Sequence, residues 1–503
     1  MSNDMTMGTV RLNRRSEQGV IAGLNGWQLG TVAIGAGLLV LTAVREFSAL
    51  IWVAGPALLI VLSAIVPVNG MPASRFAFVW ASMHARRARG GTQTRFRPER
   101  VAPKGTMQLP GRLGNIQLFS DDSGGPTGGF GVVYDPADRT MTLVAEVEVQ
   151  GFNTREVPER VQIMNGLARV LAGFTQRPGV KRITIQERTS PMSVEPARAH
   201  YRQTAAERGL DLSEAVAVNY QTALNQSELF SVAHRNYVAF TFDLRSPDLL
   251  RAVGELGGGS AGIMAVARQE KATIQGSLAS DQFTIRRWLT VRQWAGLART
   301  AFDPDYLSLL QNNTVDDLGV DLAAIGPMAL DEPTGKNHLV QTDSGVHTTL
   351  WVHEWPKSDM PIGFVEAIVF ARDPSTGRAV SHIFTIVLTP VATRKALKRV
   401  RDDKKTWRNN ERARAKNNQA GSAAAEADWN ALLDQEAAII AGEGDFRYGA
   451  YITVSAPTER ELTSAVAGMR NALNRASMEA QILYCQQAEA LLVNALPIGK
   501  GMR

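Results

Sequence analysis

The sequence predicts an α/β (α+β) protein carried on a helical hairpin, and three observations predict it. Two long uncharged apolar runs stand close together near the N-terminus. Beyond them, short runs rich in β-branched residues alternate with segments whose apolar residues recur at threes and fours. At 503 residues the chain is too long for one ordinary core, so two or three modules are expected beyond the hairpin.

The apolar runs extend from Trp27 to Val44 and from Ala49 to Val68, with Arg45 and Glu46 between them. Each is about as long as a helix needs to cross a hydrocarbon core of roughly 30 Å. Leu29, Val32, Ile34, Leu38, Leu39, Val40, Leu41 and Val44 favour insertion of the first, each by about 0.3–0.6 kcal/mol. Gly55 and Pro56 interrupt the second, which neighbouring helices tolerate in membranes. A cleavable signal peptide is a poor fit, because the first run is long and a second follows at once.

Arg11, Arg14 and Arg15 precede the hairpin. Arg75, Arg86, Arg87 and Arg89 follow it, and no acid occurs between Glu46 and Glu99. Basic flanks stay on the cytoplasmic side. The expectation is a two-span inner (plasma) membrane protein with cytoplasmic N- and C-termini. Ser74–Arg89 reads as an amphipathic helix on the inner leaflet, with Phe76, Phe78, Val79, Trp80 and Met83 toward lipid and the arginines toward headgroups. An ordinary stop-transfer flank is the competing reading. The formal charge of +6 fits contact with anionic lipid or nucleic acid. Cys485 is the single cysteine, which excludes an internal disulfide and a multi-cysteine zinc site.

The chain divides into a tail (1–26), the hairpin (27–68), a basic juxtamembrane segment and linker (69–106), a first cytoplasmic α/β module (107–330) and a second (331–503). In the first module, strands are expected over Met141–Val149, Lys181–Glu187 and Asn236–Leu244. Helices are expected over Arg155–Ala172, Glu195–Arg208, Ser213–Leu224, Pro247–Glu255, Gly262–Gly276 and Asp281–Ala301. The first β-α-β unit suggests a ferredoxin-like module. In the second, Gly345–Trp355, Ala379–Leu388, Phe446–Ser455 and Ala480–Tyr484 read as strands. Pro361–Phe370 is a short helix or a strand, and helices cover Thr458–Ala472 and Ala488–Leu492. A long helical insertion occupies 391–442, with a break near Asn417–Ser422.

Several motifs fail on their own chemistry. Gly335–Lys336–Asn337 lacks the leading glycine and the Ser/Thr of a P-loop. The glycine-rich Gly124–Gly131 has no lysine and reads as a turn. Gly258–Gly259–Ser260–Ala261–Gly262 matches a nucleophile elbow in letters, but a helix rather than a strand precedes it. His347 and His353 lie about 20 Å apart on one strand, too far to share a metal. No cofactor is expected. The basic run Arg394, Lys395, Lys398, Arg399, Arg401, Lys404, Lys405, Arg408, Arg412, Arg414 and Lys416 is opposed only by Asp402, Asp403 and Glu411. It reads as a solvated projecting helix or as a contact for DNA through residues 394–416.

The strand ending at Trp355 before Pro356, the strand Ala379–Leu388 leading through Pro390 into a charged helix, the strand Tyr451–Ser455 with its following helix, and the terminal Asn494–Ala495–Leu496–Pro497–Ile498–Gly499 together resemble the N-terminal, non-motor region of conjugation and type IV secretion ATPases. The hairpin is similar to the two-helix inner-membrane subunit found ahead of such ATPases. The whole layout looks like an actinobacterial conjugation-associated membrane protein. In that family a Leu-Pro-x-Gly step leads into the motor, which this chain lacks. The resemblance implies a non-catalytic inner-membrane subunit that couples a separate P-loop ATPase to other channel subunits, with Leu496, Pro497, Ile498 and Gly499 as the docking step. Membrane lipid is the other expected partner, and a homo-oligomer is compatible with the reading. The alternatives are a scaffold subunit of another actinobacterial secretion system and a membrane-tethered serine hydrolase using Ser260.

Overall fold

A computed structural model describes residues 9–10, 26–45, 48, 50–96, 109–121, 129–148, 155–177, 179–192, 194–228, 231–279, 284–307, 310, 319–356, 360–416, 423–442 and 444–500. Its first helix, α1 (Gly26–Arg45), has 20 residues and is long and apolar enough to cross a membrane. The second, α2 (Leu50–Ile65), is apolar but has 16 residues, about 24 Å of helix. It stops short of Val68 because Pro67–Val68 folds back on Met71–Pro72 around Asn69 and Gly70, both with positive φ. The helices meet at Gly35, where an added Cβ would lie 2.7 Å from Val61 Cγ2 and 3.1 Å from the Ala57 carbonyl oxygen. Such small residues let apolar helices approach closely. Gln28 is satisfied by donating to the Ala64 carbonyl.

After α3 (Ala73–Ala88) the body opens with β1 (Gln93–Arg95), β2 (Gln117–Asp121), β3 (Phe130–Asp135) and β4 (Thr140–Glu148). Next come α4 (Val157–Thr175), β5 (Val180–Pro191), the helical pair α5 (Glu195–Arg208) and α6 (Ala215–Glu228), and β6 (Val232–Asp243). The first half closes with α7 (Pro247–Glu255), α8 (Gly259–Ala279), β7 (Thr284–Trp288) and α9 (Val291–Phe302). A second half then repeats the plan. It runs β8 (Ala329–Asp331), β9 (Val340–Gln341), β10 (Val346–Glu354), a single helical turn at Glu366–Val369 and β11 (His382–Val391). It continues with the helical pair α10 (Thr393–Lys416) and α11 (Ala423–Ile440), then β12 (Asp445–Ala456), α12 (Glu459–Arg475), β13 (Glu479–Ile482) and α13 (Gln487–Ala495).

These strands form one 13-stranded sheet in the order β1-β8-β9-β10-β12-β11-β5-β6-β4-β3-β2, with β7 also on β4 and β13 also on β10. In the first half β4 lies between β6 and β7, and β6 between β4 and β5. In the second, β10 and β12 hold the equivalent places, with β13 and β11 outside them. Each half inserts its helical pair at the same point, between the second and third strands of this set. The halves join through antiparallel pairing of β5 with β11, from His382 opposite Thr189 to Leu388 opposite Ile183. The two modules therefore share one sheet, and the 330/331 boundary falls inside β8.

Alternation along the strands divides the core between two faces. Leu143, Phe240 and Ile183 pack with α4, α7 and α8, while Phe384 and Ile452 pack with α12 on the same side. Val144, Ala239 and Ile383 face the opposite layer, built from α9, α13 and the segment to Ile498. The result is helices, sheet, helices.

Most expected elements fall within a few residues of their place. Residues 281–301 are the exception. Instead of one helix, β7 pairs with β4 and α9 begins afterwards. Thr290 caps Gln293 in a reciprocal capping box, so the helix starts after residue 290. The expected break at 417–422 and most of the glycine-rich 124–131 lie outside the described residues.

Candidate functional site: the anchor dock and the basic arm

α3 joins the hairpin to the body. At its start Trp27 Nε1 donates to Ser74 Oγ at 3.1 Å, and the Trp27 and Phe78 rings lie 5.7 Å apart. Just ahead of it, the Gln481 side chain on β13 donates to the Asn69 carbonyl. At the far end Arg86 donates to the Cys485 carbonyl at 2.7 Å, and Arg87 donates to the carbonyls of Glu332 (3.0 Å) and Pro333 (3.3 Å).

The buried Glu332 is the centre of this dock. Its Oε1 accepts from the Ala488 N–H at the start of α13, and its other oxygen lies 3.8 Å from Arg86. Burial raises the Glu332 pKa, against the pull of that N–H and of Arg86 and Arg87. Cys485 adopts a left-handed φ of 63° there, with its N–H on the Asn337 carbonyl. Non-glycine residues rarely hold that conformation, at a cost of roughly 1–2 kcal/mol. The strain presents the Cys485 carbonyl to Arg86.

The arginines expected to flank the membrane thus divide. Arg75 and Arg89 are exposed, whereas Arg86 and Arg87 turn into the body. Arg11, Arg14 and Arg15 lie outside the described residues. Among the apolar residues of α3, Phe78 and Trp80 are exposed, but Met83 is buried. Glu332, Gln481 and Cys485 escaped the sequence reading because they lie hundreds of residues from α3.

Leu496, Pro497, Ile498 and Gly499 are brought together as a buried strap across the sheet. Arg182 donates to the Gly499 carbonyl at 2.8 Å. Gly499 has φ +63°, and a Cβ there would overlap Thr241 Oγ1. Just upstream, the Asn494 carbonyl accepts from Gln186 at 2.6 Å and from Thr385 at 3.1 Å. Arg188 donates to the Ala495 carbonyl. The strap therefore fastens both halves of the sheet from one face.

The basic run forms one sided helix rather than a helix charged all round. Ala396 and Val400 are buried against Ile439 of α11. Lys404 pairs with Glu436, Arg399 lies 3.8 Å from Asp445, and the Trp407 and Trp429 rings lie 4.6 Å apart. Arg394, Lys398, Arg401, Lys405 and Arg412 remain exposed on the outer side, and Arg408, also exposed, reaches over the Trp429 ring of α11 at 5.4 Å. Their 4-3-4-3-4 spacing makes one row about 27 Å long. Asp402, 3.6 Å from Lys405, is the acid beside it.

The remaining candidates are structural. His347 is fully buried between Ser455 Oγ and Thr342 Oγ1, and burial lowers its pKa to about 4. Ser260 lies in the first turn of α8, preceded by α7 and three glycines with positive φ, so no strand leads into an elbow. Lys336 pairs with Glu459. His353, Glu354 and Glu479 bring ligand atoms within 4.8 Å of one another across β10 and β13. They are half-exposed or exposed, an arrangement common without an ion. No family model and no curated protein matches the chain.

Proposed function

We propose that the protein is a non-catalytic inner-membrane subunit of a conjugative or type IV secretion-like machine, holding a separate P-loop ATPase at the membrane and passing its movements to the channel. The observation that carries this reading is the dock. Arg86, Arg87 and Gln481 tie the apolar hairpin to the body at four backbone carbonyls, so a force on the body reaches the hairpin without a slack linker. In this reading α1 and α2 both span the bilayer, α2 being the shorter, and both termini are cytoplasmic. Each half of the body is a ferredoxin-like module carrying a helical insertion. The likeness to the non-motor region of secretion ATPases rests on the order of these elements.

With Leu496 and Ile498 in the core, the strap acts by fastening the two halves of the sheet together, and exposed surfaces beside it meet the motor. The cation row of α10 gives the platform an anionic partner, DNA in this reading. Purification of the full chain at native expression in mild detergent should recover a P-loop ATPase and other channel subunits. A chain that comes through alone overturns the proposal.

A further inference from the structure

A cleft opens between α9 and the strand ends where the two halves join. Its polar wall carries Arg188, Arg235 and Arg287, with Glu146 as the carboxylate among the lining residues. Glu146 is already committed: Arg287 Nε lies 2.7 Å away and Arg286 3.5 Å away. Arg188 is buried, and its donors go to neutral groups. These are Gln186 Oε1 at 2.9 Å, the Leu297 carbonyl at 2.8 Å and the Ala495 carbonyl. Arg235 is half-buried beside Tyr237 and hydrogen-bonds its side chain. Neither Arg188 nor Arg235 forms an ion pair among the described residues. Leu297, Ala301, Leu307 and Leu310 also line the cleft and give it an apolar wall.

Buried charges in proteins are ordinarily paired. Here two guanidiniums face a cleft whose one acid is taken by other arginines. Planar guanidinium groups match carboxylate and phosphate oxygens best, and the wall of leucines calls for hydrocarbon beside that head. We propose that the cleft binds a small amphiphilic anion, a carboxylate or phosphomonoester on a short apolar chain. Arg235 contacts the head, and Arg188 supplies the field behind it. This site is independent of the coupling role above, and neither depends on the other.

Water-soluble probes of matched chain test it: octanoate, octyl phosphate and octanol, titrated by calorimetry into the full chain in lipid nanodiscs. Arg235→Gln is the informative variant, because Arg188 also holds α9 and α13 to the sheet. Saturable binding of octanoate or octyl phosphate, at least tenfold weaker for octanol and for Arg235→Gln with either anion, supports the site. Preference between the two anions then assigns a carboxylate or a phosphate source. Equal binding of all three probes, unaltered affinity in Arg235→Gln, or no saturable binding of either anion overturns it.

Discussion

Replacing Leu496 by alanine separates a core role from a docking role for the terminal strap. Leu496 is 1 % exposed and packs with Leu491, Ile498 and the α9 residues Trp294 and Phe302 in one cluster. Removing a buried leucine side chain loses its transfer free energy and leaves a cavity, which together cost about 3 kcal/mol. The neighbouring Ala495 and Asn494 carbonyls are held by Arg188, Gln186 and Thr385, so the backbone has little freedom to collapse into the space. Thermal unfolding of the full chain in detergent, followed by near-UV circular dichroism, should therefore shift to lower temperature. Leu433→Ala on α11, where the side chain is 41 % exposed, is the matched control and should leave the transition in place. Copurification with an ATPase, measured in parallel, completes the comparison. An unshifted transition in Leu496→Ala with loss of the ATPase would refute the core argument and restore Leu496 as a direct docking side chain.

Gly499→Ala should be more damaging than its size suggests, because it combines a left-handed φ with overlap on Thr241; a melting curve matching wild type would show that the strap sits elsewhere. His347 makes stability acid-sensitive. Its folded pKa of about 4 lies below the unfolded value near 6.5, so between those pH values the unfolded chain binds more protons and stability falls as pH drops. The loss is about 3 kcal/mol when complete, and denaturant titrations from pH 7 to 4 should show a shallower fall in His347→Asn. Arg86→Ala with Arg87→Ala removes three hydrogen bonds from charged donors, each worth roughly 1.5–3 kcal/mol. Hydrogen exchange should then quicken in α3 and at the start of α13, where Glu332 holds Ala488; unchanged protection would mean that the anchor is held by other contacts.

The parts of this fold legible in the sequence are those specified locally. α5 runs from Glu195 to Arg208 as expected, because Pro196 suits a first turn and Gly209 takes the left-handed cap. β5 shows where local signals end. Its expected span stops at Glu187, yet the strand continues to Pro191 with Glu187, Arg188 and Thr189 all buried. The partners that permit this come from far away. Glu187 lies 3.2 Å from His234 and 3.4 Å from His382. Burial works against its charge, but hydrogen bonds from His234 and Thr189, with His382 close by, hold its pKa down to about 2. Arg188 meets carbonyls of α9 and α13. The start of the helix expected over 281–301 is a strand for a related reason: Arg286 and Arg287 of β7 find their partner in Glu146 of β4, far away in sequence. The dock is the extreme case, linking α3 to residues 332 and 485.

The strand register also places the basic arm relative to the anchor. β5 and β11 run antiparallel, and each leads into its helical pair, so the two pairs leave from opposite ends of the sheet. The first pair exposes Leu210, Val216, Val218 and Tyr220, and the second exposes the cation row. Val391 and Asp445, where the basic pair leaves, lie at the same end as Glu354 and Glu479. The anchor approaches from that end, since α3 starts beside Gln481 and runs toward Cys485. With α1 in a bilayer, the row on α10 therefore emerges on the side of the sheet nearest the headgroups. Each basic residue near an anionic surface contributes about 1 kcal/mol, so in the proposed reading acidic lipid would compete with DNA for the same side chains. DNA retention by the full chain should fall as nanodiscs are made more anionic, and should be weak in all of them for the triple variant Lys398→Gln, Arg401→Gln, Lys405→Gln. Retention that is independent of lipid charge, while still lost in the triple variant, would put the arm beyond reach of the membrane and show that the register argument misplaces it.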